Sequence, residues 1–400
     1  MHNTPERRRL LVVTESLGYG GTQSHLLAVL PRIAESGWQV SVFCVTERGE
    51  RAPNLERAGV RVLAPPKLAS RQQRRLLFPV HAGIVVAQLY ALARRWRPHI
   101  AHFFLPGPYI LGTPAAMAAR VPIKIMSRRS LADYQRNWPG AKRLESRLHA
   151  KMAAITGNCR AIIGELIEEG VPESKLRLIY NGIDPSDFKP GRAEARAALG
   201  LDANALIGVM VASLIPYKGH RDLIEATAMA APQLPASWQI LCAGGGNLES
   251  ELTALAAAKG LAANIRFLGQ RADVGRLLAA ADFSVLPPRE NEGFSNAILE
   301  SMRASLPMIV TDVGGNAEAV IDGETGFVVP SAAPKALSSA IVRIAQDSGL
   351  RGRLGDAGRE RVMAAFTLDN CVAEYRSLYD ELVSRSTRRA FTREPTLSDD

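Results

Sequence analysis

The stretch LLVVTESLGYGGTQSHLLAVL, residues 10–30, sets the reading of the whole chain. Residues 10–15 form a short apolar run of β type. GYGGTQ (18–23) supplies a glycine-bearing turn, and the apolar residues of 24–36 recur with helical period. Strand, glycine loop and helix in that order open a unit in which parallel strands alternate with covering helices. The same order recurs along the first half, with strands predicted at 38–46, 60–65, 99–104 and 123–129 and an amphipathic helix over 76–96. The second half repeats it, with strands predicted at 206–213, 238–244, 265–269, 283–288 and 307–312. The fold class expected is therefore α/β, with two doubly wound Rossmann-like domains facing each other across a cleft. The first domain is expected over residues 1–185 and the second over 191–367. IDPSDFKPG (183–191) has the Pro, Asp and Gly of a connecting loop. A helical stretch at 368–383 is expected to pack back on the first domain. The polar, aperiodic tail 384–400 reads as disordered.

Composition narrows the functional classes. The 400 residues suit two domains, with 47% apolar and 22% charged residues. The apolar run near the N-terminus is too short for the core of a signal peptide, and no stretch approaches the roughly 20 apolar residues of a membrane span. Cys44, Cys159, Cys242 and Cys371 show no paired spacing. They read as reduced, mostly buried thiols of a cytoplasmic protein, neither metal ligands nor disulfides. The net charge of +10 divides unevenly: residues 1–190 carry +14 and the remainder −4. Seven basic residues (Lys67, Arg71, Arg74, Arg75, Arg94, Arg95, Arg97) follow one another without an acidic residue between them. A second cluster runs from Arg120 to Lys151 and includes Arg128 and Arg129. Such a face attracts phosphates or an anionic membrane, or is a solvated basic surface. A nucleic-acid partner is not expected, because charge alone would not account for the C-terminal motifs.

The strongest chemical signal is EGFSNAILE, residues 292–300, after a strand ending in Pro287-Pro288. Within one continuous helix, Glu292 and Glu300 would lie about 12 Å apart along the axis and could not act on one atom. If Gly293 breaks the first turn, Glu292 sits in the loop and Glu300 one to two turns inside the helix. The helix N-terminus then lies between them, with amides and dipole suited to a diphosphate. A carboxylate on each side would hold hydroxyls, one on a sugar and one on a ribose.

This pattern resembles the signature of the family-4 glycosyltransferases, retaining enzymes of the GT-B fold. Further segments fall in that family's order: Gly20-Gly21; Tyr180 to Asp184; Leu214 to Gly219; Ala243 to Gly246; Phe267 to Gly269; Asp312 to Glu318. The resemblance spans most of residues 8–383. It implies that Lys218 neutralises the donor diphosphate, that Glu300 binds the ribose, and that Glu292 contacts the transferred sugar. It implies that Gly293, Phe294, Ser295 and Asn296 line that sugar, and that Gly20, Gly21, Ser213 and Gly244 belong to the donor site. No metal or other cofactor is implied, and no Asp-x-Asp motif is present. Two departures stand out. Ser213 occupies a place where many members have an arginine, so Arg128 or Arg129 is expected to reach the phosphates instead. The family's His-x-His reads His102-Phe103-Phe104 here, leaving His102 as a candidate catalytic residue or a buried structural one.

The expected activity is transfer of a hexose-type sugar from a nucleotide sugar to a glycan or a polyprenyl- or lipid-linked acceptor, in cell-surface polysaccharide or glycolipid synthesis. The basic first half points to an anionic acceptor or to peripheral attachment at an anionic inner membrane face. The apolar face of 76–93 serves equally as domain core. An epimerase or phosphorylase on the same fold, or a sugar-nucleotide-binding protein without activity, are the alternatives. A dehydrogenase is disfavoured, because Gly18-x-Gly20-Gly21 is not the dinucleotide fingerprint and no acidic residue closes the second strand.

Overall fold

The computed structural model describes residues 7–66, 78–135, 139–185 and 191–391. Lys67, Arg71, Arg74, Arg75 and Arg136 of the basic clusters lie outside them, as do residues 186–190 of the connecting loop and 392–400 of the tail. The chain forms two parallel sheets. The first contains β1 (Arg9–Thr14), β2 (Gln39–Cys44), β3 (Arg61–Leu63), β4 (Ile100–Phe104), β5 (Ile123–Arg128), β6 (Ala154–Gly157) and β7 (Leu176–Leu178) in the order β3-β2-β1-β4-β5-β6-β7. The second contains β8 (Leu206–Val211), β9 (Trp238–Ala243), β10 (Ile265–Phe267), β11 (Phe283–Leu286), β12 (Met308–Thr311) and β13 (Gly326–Val329) in the order β10-β9-β8-β11-β12-β13. Each sheet is wound in both directions from its first strand. Its switch points are β1/β4 and β8/β11. Strands β6, β7 and β13, of three or four residues each, add to those expected from the sequence.

Both faces of each sheet are covered, as a parallel sheet requires. Side chains alternate along β1: Leu10 and Val12 join one core while Leu11 and Val13 join the other. The helix Gly21–Glu35 covers the first face with Leu26, Val29, Leu30 and Ile33. The helix Phe78–Trp96 covers the second through Val85, Leu89 and Ala93, one helical turn apart, so this face of the 76–93 segment is domain core. Phe78, Val80 and Tyr90 of the same helix are exposed.

The last helix, Leu368–Phe391, lies on the first sheet although it follows the second. Leu368, Cys371, Val372, Tyr375, Leu378, Tyr379 and Leu382 make a stripe buried against β1, β2, β4 and the helix Gly21–Glu35. Where the chain returns, it pairs with its outgoing segment: Ile183 N–H donates to Phe366 O at 2.9 Å and Leu368 N–H to Ile183 O at 2.9 Å. Residues 384–391 are helical, a correction to the disordered tail expected from 384 onward. An Arg385–Glu381 ion pair at 2.9 Å, one turn apart, lies where the helix leaves its apolar stripe.

Three basic side chains expected near the cleft belong to the first domain's interior. His102 is fully buried, with Nδ1 at 2.8 Å from the Tyr379 hydroxyl and Nε2 at 2.8 Å from Ser127 Oγ. Both ring nitrogens are consumed, so the ring is structural, not catalytic. Burial, with a smaller contribution from Arg129, pushes its pKa down to about 3. Arg128 is 1% exposed and donates to both Glu169 carboxylate oxygens at 2.6 and 2.9 Å and to Glu145 at 3.4 Å. An arginine so enclosed by carboxylates does not serve a phosphate. Arg129 points inward to Asn181 Oδ1 at 2.7 Å, close to Tyr375.

The histidines predict an acid sensitivity. Burial lowers the pKa of His25 and His102, and burial with Lys218 nearby lowers that of His220 to about 4. Between the ordinary value of 6.5 and these folded values the unfolded chain binds more protons, so stability held above pH 6.5 is lost as the pH falls. Calorimetry is expected to show Tm decreasing from pH 6.5 to 4.5, with a shallower slope in His102→Gln.

Candidate active site

The carboxyl ends of the strands beside a switch point are where a doubly wound sheet leaves an open crevice. In the second domain those strands are β8 and β11, and their exit loops carry Ser213, Lys218 and the segment ending in Glu292. Gly219 makes the approach of the two loops possible. Its φ is +81° and a Cβ there would sit 1.8 Å from Pro287 O. Arg289 fixes the arrangement: its guanidinium grips Asp222 through two bonds of 2.7 and 2.6 Å, and its N–H donates to Tyr217 O at 2.7 Å. The result is an ion pair between Lys218 Nζ and Glu292 Oε2 at 2.5 Å. Burial opposes the lysine's charge, but Glu292 and Tyr217 outweigh it and hold the Lys218 pKa above its usual value.

The helix Asn296–Arg303 begins beside this pair, with Ser295 at its N-cap and no side-chain cap bond. Glu292 lies in the loop before it and Glu300 one turn inside. Across the cleft, the loop after β1 brings Gly20 and Gly21 to the same place: Asn296 Nδ2 donates to Gly21 O at 3.0 Å. Ser213 is exposed at the end of the β8 strand. Gly244 lies against the Ala212 carbonyl beside it, so the β9 exit also borders the crevice. Gly20, Gly21, Ser213, Lys218, Gly244, Glu292, Gly293, Ser295, Asn296 and Glu300 therefore come from loops and helix starts around one crevice. Phe294 differs. Its side chain is buried against Tyr180 and Phe366, with ring centroids at 4.9 and 5.0 Å, so only its backbone borders the crevice. Its carbonyl accepts from Asn181 Nδ2 at 2.6 Å.

Arg51 was not singled out in the sequence. Its guanidinium donates to Ser24 Oγ at 2.8 Å, lies over the Tyr19 ring at 5.7 Å, and is close enough to Glu300 for their charges to interact. Burial lowers its pKa while Tyr19 and Glu300 oppose the change. Position gave the only clue, since Arg51 follows the carboxyl end of β2. Asp133, likewise missed, accepts from the Asn291 N–H at 3.1 Å across the cleft. Among the described residues no group of three or more His, Cys, Asp or Glu side chains is gathered as a metal site.

Comparison with known proteins gives the same picture over nearly the whole chain. Residues 19–187 match the family described as Glycosyltransferase Family 4, and residues 191–361 match Glycosyl transferases group 1. The D-inositol 3-phosphate glycosyltransferase of Streptomyces avermitilis is 31% identical over 403 residues, covering 92% of this chain and 85% of the relative. The enzyme of that name from Salinispora arenicola is 26% identical over 396 residues, 91% and 88% of the two chains. The crystal structure of Anabaena HepE in complex with UDP-glucose has a TM-score of 0.81 at 21% identity, covering 93% of this chain and 99% of that one. The chain belongs to the family-4 glycosyltransferases, and is a glycosyltransferase of the GT-B fold.

Proposed function

We propose that this enzyme transfers a hexose, with retention of configuration, from a nucleotide sugar to a glycan or lipid-linked acceptor in cell-surface polysaccharide or glycolipid synthesis. The observation that carries the donor half is the Lys218–Glu292 pair at the N-terminus of the helix Asn296–Arg303, at the β8/β11 switch point. A diphosphate entering there replaces one anionic partner of Lys218 with another and takes the helix amides besides. Glu292, released from the lysine, is then free to accept a sugar hydroxyl. Glu300 takes the ribose, with Arg51 beside it.

In transfer, the bond from the anomeric carbon to the diphosphate oxygen breaks and one to the acceptor oxygen forms on the same face. The acceptor proton passes to the departing phosphate. Charge grows on that phosphate as the bond breaks, and Lys218 with the helix terminus stabilises it in place of a metal. This route uses no side chain as general base, in keeping with His102 being enclosed in the core.

The relatives named for D-inositol 3-phosphate use an anionic acceptor by name, which suits the basic first half of this chain. A lipid-linked acceptor at an anionic inner membrane face is favoured by the helix Phe78–Trp96. Phe78, Val80 and Tyr90 are exposed on it and Arg94 and Arg95 lie in its last turn. A cavity of about 500 Å³ between this helix and β3 is lined by Phe43, Leu63, Leu92 and Trp96, with Arg61 and Arg95 on its wall. No helix among the described residues is long and apolar enough to cross a membrane, so attachment would be peripheral.

With UDP-, GDP-, ADP- and dTDP-sugars as probes, one donor is expected to raise Tm by mass action. Lys218→Ala and Glu300→Ala are each expected to weaken its binding by about tenfold or more, the worth of one charged hydrogen bond. Unchanged affinity in both would remove the site assignment. Transfer is expected to persist in excess EDTA; its abolition, with recovery on adding Mg²⁺ or Mn²⁺, would contradict metal independence. Flotation with anionic liposomes is expected at low salt and to be lost as salt screens the arginines. Failure to float at low salt would remove the membrane reading.

A further inference from the structure

The motif Asp312 to Glu318 supports the donor loop through its glycines, with Gly315 N–H donating to Gly293 O at 2.7 Å, and its last residue reaches the other domain. The helix Arg160–Glu168 of the first domain starts at Cys159, which provides no side-chain cap. Its terminal amides are met by a side chain 158 residues further along the chain. Arg160 N–H donates to Glu318 Oε1 at 2.8 Å and Oε2 at 3.0 Å, and Ala161 N–H to Oε1 at 3.4 Å. The Tyr180 hydroxyl donates to Oε2 at 2.7 Å. A carboxylate facing a helix N-terminus also interacts favourably with the helix dipole.

Glu318 is itself held firmly. Arg361 donates to the carbonyls of Glu318 and Ala319 at 2.7 and 2.9 Å. Beside it the Cys159 side chain packs closely on Gly315, where a Cβ would sit 2.6 Å from Cys159 Cβ. Tyr180 packs on Phe294 and Phe366, where the chain crosses between the domains. The carboxylate thus bonds to a helix of the first domain, is anchored by a helix of the second, and meets the segment joining them.

We infer that Glu318 is a positioning residue: by capping the helix Arg160–Glu168 from the opposite domain it sets the angle at which the two halves of the active site face each other. It touches neither Lys218 nor Glu292. Its removal leaves the second domain's part of the donor site intact and releases the Gly20–Gly21 loop from its register with Asn296.

The test measures the angle directly. All four native cysteines are buried, so spin labels can be placed on cysteines introduced at exposed Tyr90 and Met229, one in each domain. The otherwise native chain is expected to give a narrow distance distribution. Glu318→Ala is expected to broaden or shift it at little cost in Tm, since loss of a charge-assisted cap moves such an equilibrium by about tenfold or more. Glu318→Gln, which keeps an acceptor oxygen, is expected to fall between. Tyr180→Phe removes one of the four bonds and is expected to shift the distribution less, in the same direction. It keeps the question answerable should the alanine variant fail to fold. In a transfer assay kcat is expected to fall while donor KM changes little, as for an interaction that assembles the site without binding the donor. UDP serves as the binding probe: affinity equal to wild type supports the positioning role, and loss of affinity in Glu318→Ala alone would make Glu318 a donor ligand and overturn it. A distance distribution unchanged in folded Glu318→Ala and Tyr180→Phe would likewise overturn it. If UDP binds no form of the protein, the donor carries another base, and the distance measurement still decides the role of Glu318.

Discussion

Two backbones meet at Gly293 with no room for a side chain between them. A Cβ there would lie 2.4 Å from the Arg129 carbonyl of the opposite domain and 2.8 Å from Asn158 Oδ1. Real Cβ atoms do not come so close, so any other residue at this position would force the domains apart. Much of the cleft depends on that contact. With the loop of the second domain pressed against the exit of β5, Asn181 can hold Arg129 on one side and the Phe294 carbonyl on the other. It also donates to Asn296 Oδ1 at 2.7 Å, and Asn296 in turn reaches Gly21. Glycine at 293 serves two ends at once. It lets the loop lie against the first domain, and it lets the helix terminus that follows face that domain at hydrogen-bonding range.

The same economy explains why the lysine is paired. A lysine left alone in a partly buried crevice would be driven towards neutrality by desolvation. Glu292 at 2.5 Å prevents this and keeps Lys218 charged. Arg289 and Asp222, clamped bidentate nearby, tie the two loops together.

Where strands were long enough to show alternation or an apolar run, the fold was legible in the sequence, and the order of glycine loops after them located the crevice. What escaped was set by distant partners. Arg128 and Arg129 looked like two members of one basic cluster. Strand alternation turned one into a pocket of carboxylates from later helices and the other towards the linker. His102 looked like half of a catalytic motif because nothing near it in sequence announces Tyr379, 277 residues away. Arg51 was hidden for the opposite reason, sitting in a charged loop with no motif, where only its place after β2 marked it. Residues 384–391 lack the apolar stripe that identifies the preceding helix; they continue it, with an exposed Glu381–Arg385 pair adding a small increment.

The C-terminal helix binds these observations into one constraint. It closes the apolar face of the first sheet, and beneath it lies a polar layer: His102 between Tyr379 and Ser127, and Ser127 with Thr156 Oγ1 at 2.5 Å. Buried polar groups of this kind are costly unless every partner is present. The first domain therefore does not complete its core until the chain has passed through the second and come back. The two crossings, at Ile183 and at Phe366 to Leu368, bond to each other, so the domains are joined by a paired segment. Two crossings bonded to each other tie the domains together by themselves, so the contacts across the cleft at Gly293, Asn296 and Glu318 are left to fix how the two halves face each other.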